Sequence, residues 1–311
     1  MFPIATQSRA FLAVGLLSGA CKCSNSSPAG SDASTDAAPT DTAADVAVPT
    51  TASISMPGDP NGLYWNATSN TLYIADNANN RIVTYTDAAG ITPYASLPAA
   101  SASGPGLGQL IPLSSDGSLL VTRFGYGTMG DVVHVATDAT STVLPGLDPT
   151  RERIGLTQAP DGTIYDTYFV SNGTGYIGSV ASLTLTGTET DVVMGLQKPV
   201  GVLIAGGSFY IDDQDTNALY TTSVTAPGTL SQVALLPDAD LLCEGANGTI
   251  FSGGADGNVR AIDSSGNVTI FASGFTKARG VAYDGLNHRL FIANHVGATS
   301  SSNTIEIRPV P

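Results

Sequence analysis

The sequence predicts an all-β fold, a six-bladed β-propeller whose ring is closed by an amino-terminal strand. Three observations predict it. Past residue 52, short runs rich in Val, Ile, Thr, Tyr and Leu are separated by Gly, Asn, Asp and Pro, and no stretch sustains a capped helical period. These runs recur at roughly 40–47 residues, a blade period, and six units fill the body. The sixth unit stops at Pro311 one strand short, and residues 52–57 (Ala-Ser-Ile-Ser-Met-Pro) resemble the missing piece. Closure of this kind protects edges that would otherwise pair between molecules.

The elements follow in chain order. Residues 1–20 have the layout of a secretory signal: Arg9, an apolar run over 11–17, then Ser-Gly-Ala. The run is too short to span a bilayer, which needs roughly 20 residues. Cys21 follows at once, and Leu-Leu-Ser-Gly-Ala-Cys resembles a bacterial lipoprotein lipobox, although Ser18 stands where that pattern has Leu. Cys21 is therefore the expected lipidation site. The expected location is outside the cytoplasm: an outer-membrane or cell-surface lipoprotein, otherwise a periplasmic or secreted protein. Residues 21–51 are the lipidated Cys and a Ser, Ala, Asp, Thr and Pro tether, which has too little apolar surface to offset its ordering entropy. Residues 52–311 are the propeller.

Within the body four of the units align on a Gly near the start of the first strand. Asn61-Gly62-Leu63-Tyr64 leads to Leu72-Tyr73-Ile74-Ala75-Asp76, Val200-Gly201-Val202-Leu203 to Phe209-Tyr210-Ile211-Asp212-Asp213, and Arg279-Gly280-Val281-Ala282 to Leu290-Phe291-Ile292-Ala293-Asn294. Ile154-Gly155-Leu156 leads through Pro160-Asp161-Gly162 to Ile164-Tyr165, and fainter copies cover 110–121 and 241–251. Asp-Gly and Asn-Gly suit the hairpin turns because they tolerate positive φ. Closing strands are expected over 91–97, 141–147, 191–196, 230–236 and 268–275.

Pro60-Asn61-Gly62-Leu63, Leu72-Tyr73-Ile74-Ala75-Asp76 and Asn80-Arg81-Ile82 resemble an NHL repeat, a blade unit shared in outline with the gluconolactonase and senescence-marker-protein lactonases. That resemblance implies a structural role for Asp76/Asn80, Asp213/Asn217 and Asn294/Asn303, which would fasten the turn after each second strand. It also implies a divalent cation, calcium or another, at the top of the channel. Transfer of its ligands mostly fails. Asn61 stands at the Glu position and Val200 at the Asn position, and only Asp240 matches, leaving Asp240 and Asn61 as the candidate metal donors. The loss favours binding over catalysis, and no catalytic residue is assigned.

Asn61, Gln109, Arg153, Asp240 and Arg279 stand near the starts of innermost strands, where the alignment converges them on one channel mouth. Clustered Arg and carboxylate suit a polar or anionic small ligand through charge-assisted hydrogen bonds. The competing explanation is structural ion pairs between blades. Asp213-Gln214-Asp215-Thr216-Asn217 mimics a calcium loop, but Ala218 and Val224 break the pattern and the segment falls on a blade turn. His134, His288 and His295 have no metal-ligand spacing and are expected to be structural.

With 26 Asp and Glu against 12 Lys and Arg, a formal charge of −14 excludes a nucleic-acid partner and opposes an anionic membrane surface. Three cysteines exclude a disulfide scaffold. The expected function is an extracytoplasmic propeller, monomeric, that binds a small polar ligand or a protein through its channel mouth and upper loops. It touches membrane only through a lipid anchor. The alternative is a lactonase-type hydrolase with a rebuilt metal site.

Overall fold

The computed structural model describes residues 50–100, 104 and 106–311. The signal, Cys21 and nearly all of the tether lie outside them. Six four-stranded antiparallel units follow one another, with blades five and six joined into one eight-stranded sheet by a Gly254–Ala278 bridge. The inner strands are Pro60–Asn66, Leu107–Pro112, Glu152–Gln158, Pro199–Ala205, Ala239–Glu244 and Ala278–Asp284. Each packs on the inner strands of both neighbouring blades, and the sixth returns to the first. The ring is therefore a closed six-bladed propeller.

Closure is made by Ala52–Ser55. It pairs antiparallel with Thr304–Pro309, Ala52 opposite Ile307 and Ser55 opposite Thr304, and so supplies the fourth strand of blade six. Ser53 Oγ donates to Glu306 at 2.7 Å, and the Met56 amide donates to the Asn303 carbonyl.

Both faces of every blade are buried against neighbours, which explains the nearly continuous apolar runs. Successive strand residues point to opposite faces. Ile74 accordingly packs in the core between blades six and one, and Ala75 in the core between blades one and two. Leu120 and Val121 divide in the same way, as do Val132 and Val133. Six buried clusters result, one at each blade-to-blade interface.

The turn-fastening residues act as the repeat implied. Asp76 accepts from the Asp59 amide, Asn79 and Arg81. Asp213 accepts backbone amides of Gln197, Lys198, Asp215 and Thr216, which occupies the carboxylate that a calcium loop would need. Asn303 accepts from Val296 and Gly297 and donates to the Gly58 and Gly297 carbonyls.

Candidate functional site at the channel mouth

Five inner strands carry Gly near their start: Gly62, Gly108, Gly155, Gly201 and Gly280. A Cβ on any of them would lie 2.1–2.7 Å from a carbonyl oxygen of the next inner strand. Only hydrogen fits, so these segments crowd toward the axis. Each inner strand also bulges just there, between Pro60 and Leu63 in the first blade and between Ala278 and Val281 in the last. The residue before the Gly register then faces an axial cavity of about 450 Å³, lined by Asn61, Leu107, Ile154, Asp240 and Arg279.

Asn61, Asp240 and Arg279 thus converge, as the sequence register predicted. Gln109 and Arg153 do not join them. Gln109 lies two residues beyond Leu107, about 7 Å further along the strand. Its amide donates to the Leu63 carbonyl at 3.3 Å, and it lines a separate cavity of about 200 Å³ with Leu63, Tyr64 and Tyr283. Arg153 lies one residue before Ile154, and a one-residue slip turns a side chain to the other face. It is fully buried within blade three, 2.5 Å from Asp166, bonded to Glu189, and 3.2 Å from the Asp148 carbonyl. The ion pair expected between blades is therefore one inside a blade. Arg151 is paired as well, at 3.0 Å from Asp191, and stacks on Tyr168 at 3.8 Å.

Connections between blades add Asp59, Lys198 and Lys277, and turns after the second strands of blades one, four and six add Asn77, Gln214 and His295, groups that the sequence analysis did not assign to the site. His295, expected to be structural, hydrogen-bonds through Nδ1 to Asp59 Oδ1, and its amide is held by the Lys277 carbonyl at 2.9 Å. Asn77 donates to the other Asp59 oxygen at 2.9 Å and accepts from the Leu107 amide at 3.0 Å, which ties the pair to blade two. Burial raises the Asp59 carboxyl, but the bonds from His295 and Asn77 outweigh it and hold the pKa below the usual range. His295 Nε2 has no partner among the described residues. One signal was available: Asp59, Lys198 and Lys277 stand three residues before Gly62, Gly201 and Gly280.

Asp240 makes no hydrogen bond or ion pair within 4.0 Å among the described residues. Desolvation raises its pKa, against the pull of Arg279, Lys198, His295 and Lys277. Asn61 is also incompletely satisfied: its amide donates to the Leu107 carbonyl, while buried Oδ1 has no partner. Lys198, Lys277 and Arg279 have no carboxylate at ion-pair distance, whereas every other arginine among the described residues has one. Aromatic rings form one rim, with Phe124 and Tyr126 packed edge to face at 4.9 Å.

The donor set does not fit the divalent cation that the resemblance implied. Asp240 and Asn61 share the cavity with three cations, Asp59 is engaged by His295 and Asn77, and among the described residues no three His, Cys, Asp or Glu are placed to hold a metal. The remaining histidines stand elsewhere. His134 Nε2 lies 2.8 Å from Ser118 Oγ, and His288 adopts φ 47° in a turn.

No protein-family model and no curated protein matches the chain. Solved structures do. A gluconolactonase from Xanthomonas campestris is 15% identical with a TM-score of 0.66, covering 84% of this chain and 90% of that one. Regucalcin from Agrobacterium tumefaciens, a calcium-binding protein, is 17% identical with a TM-score of 0.61, covering 84% and 97%. A catalytically inactive histidine-to-alanine variant of virginiamycin B lyase from Staphylococcus aureus, with Quinupristin, is 13% identical with a TM-score of 0.57, covering 84% and 99%. The chain has the six-bladed propeller fold of gluconolactonase- and regucalcin-type proteins.

Proposed function

We infer that this chain is an extracytoplasmic binding protein whose channel mouth takes a small polar ligand. One observation carries the reading. A single axial cavity gathers Asn61, Asp240 and Arg279 from three blades, and among the described residues buried Asn61 Oδ1 has no hydrogen-bond partner and neither half-buried charge has an ion-pair partner. An unsatisfied buried polar group costs stability, so the Asn61 acceptor beside two unpaired charges in one cavity points to a partner from outside. The cavity volume suits a small molecule. A ligand-observed NMR screen of small polar compounds tests it. Binders should be lost when Ala298→Trp fills the exposed rim, with the melting temperature unchanged. Binders indifferent to that substitution would sink the reading.

A second reading rests on the Asp59–His295 pair. A carboxylate that orients an imidazole, with Nε2 toward a cavity, is the arrangement of a general base. It would activate water for a lactonase-type hydrolysis without the inherited cation ligands. The inactive histidine variant of virginiamycin B lyase gives this reading support by analogy of fold alone. Turnover of simple lactones and esters that disappears in His295→Ala would favour it. No turnover by the wild-type protein would remove it.

A further inference from the structure

The charge balance of the cavity opposes that of the molecule. The formal charge of the chain is −14, so a cation has carboxylates to choose from almost everywhere. Lys198, Lys277 and Arg279 nevertheless have none at ion-pair distance among the described residues, and all three line the same cavity. They come from two segments: Lys198 just before the inner strand of blade four, and Lys277 and Arg279 at the start of that of blade six. Lys198 instead lies over the rings of Phe169 and Tyr176, 5.5 and 5.4 Å from their centroids.

Cations left unpaired around one cavity are a receptor for anions, since charge-assisted bonds to carboxylate or phosphate are the strong ones. Lys198 stands at blade four and Lys277 and Arg279 at blade six, with blade five between, an arrangement that suits negative charge spread over a molecule rather than concentrated on one compact ion. Beside them, Asn61 Oδ1 is an acceptor without a donor, on a side chain only 8% exposed, and Asp240 is a second acceptor. The ligand must therefore also bring hydrogen-bond donors.

We propose that the channel mouth binds a small, multiply charged organic anion bearing hydroxyl groups, a hydroxy-polycarboxylate in chemical class. The anionic groups meet Lys198, Lys277 and Arg279, and a hydroxyl donates to Asn61 Oδ1 or Asp240. This deepens the binding reading and rests on it. Fixed positive charge at the end of the channel also concentrates such an anion against the repulsion of the rest of the molecule.

Isothermal titration calorimetry on the full chain, at constant ionic strength, tests it with four probes: citrate, tricarballylate, inorganic phosphate and glucose. Citrate should bind most tightly, ahead of tricarballylate, which lacks its hydroxyl, and of phosphate. Lys277→Ala and Arg279→Ala should each weaken citrate tenfold or more, and Arg279→Lys should recover part of that loss. Equal binding of tricarballylate and citrate would overturn the hydroxyl assignment. Citrate affinity unchanged by both alanine variants would mean an adventitious surface contact and overturn the site. Glucose binding that is blocked by Ala298→Trp but indifferent to the cation variants would keep the binding reading and end the anion proposal. Absence of heat with both carboxylates up to about 10 mM would end it too, while the NMR screen decides separately whether the cavity binds anything.

Discussion

Arg153 in blade three and Arg279 in blade six both stand at the start of an inner strand, and they do opposite things. Arg153 is sealed inside its blade between Asp166 and Glu189. Arg279 faces a cavity shared with Asp240, which has no ion-pair partner among the described residues. A single step of strand register separates the two outcomes. The paired cluster is a unit of structure whose charges compensate one another. The unpaired one carries charge that the fold does not consume, and such groups are retained at the expense of stability.

The largest effect expected from that contrast is on stability. Arg153→Met would leave Asp166 and Glu189 with an uncompensated buried charge, a loss of about 3–5 kcal/mol, toward the lower end because a carboxyl can take up a proton. Arg279→Met should change stability by no more than about 0.5 kcal/mol, since no internal partner is lost. Urea denaturation at neutral pH measures both. Equal losses would erase the distinction between the clusters.

A pH series sharpens it. Burial raises the Asp166 carboxyl to about 6, in spite of Arg153, from an ordinary value of 3.8. The folded state therefore binds more protons than the unfolded state between these values, and this group's contribution to stability falls as pH rises across that window. The stability of the wild type relative to Asp166→Asn should decline from pH 4 to pH 6, by an amount on the order of 2 kcal/mol. A difference that is flat or rises with pH would contradict the burial argument.

Asp59 should show the opposite sign. Its pKa is held below the ordinary value, so its stabilisation is present above that value and is lost as pH falls through the folded pKa. Asp59→Asn should cost about 1–2 kcal/mol at neutral pH through the bonds it weakens. It should also shrink the acid-side loss below about pH 4. An unchanged acid limb in the variant would mean that the His295 and Asn77 bonds do not govern Asp59.

How much of this could be read from the sequence divides along the same line. The fold was legible because both faces of each blade are buried. Pairs such as Ile74 and Ala75 serve two cores, which writes apolar runs into every unit, and a Gly recurs near the start of five of the six inner strands. The closing strand was legible because the last unit lacked one. The site was legible at Asn61 and Arg279 from the Gly that follows each, and at Asp240 from the family resemblance. In blades two and three the expected positions fell on Gln109 and Arg153, two residues beyond Leu107 and one before Ile154, the residues that line the cavity. The partner of His295 could not be seen, since Asp59 is 236 residues away and meets it only through ring closure. Lys198 and Lys277 sit in connections whose lengths differ between units, although their common distance from Gly201 and Gly280 was a usable signal.

The smallest effect is the most diagnostic for the mouth. Asp240 carries the desolvation cost of a carboxylate with no bond in return, and the neighbouring cations offset this only in part. An amide of the same shape avoids most of that cost, because a neutral group loses less on burial than a charge does. Asp240→Asn should therefore leave stability unchanged or raise it by up to about 1 kcal/mol at pH 7. The gain should fade as pH drops and the native carboxyl takes up its own proton, because a raised pKa means that the folded state prefers the protonated form. Asp166→Asn provides the control from the paired cluster. There the substitution also removes a partner from buried Arg153, and at pH 7 it should not stabilise in the same manner. A marked destabilisation by Asp240→Asn, comparable to that of Arg153→Met, would show that Asp240 is a structural partner, and the mouth would lose its claim to hold groups reserved for a ligand.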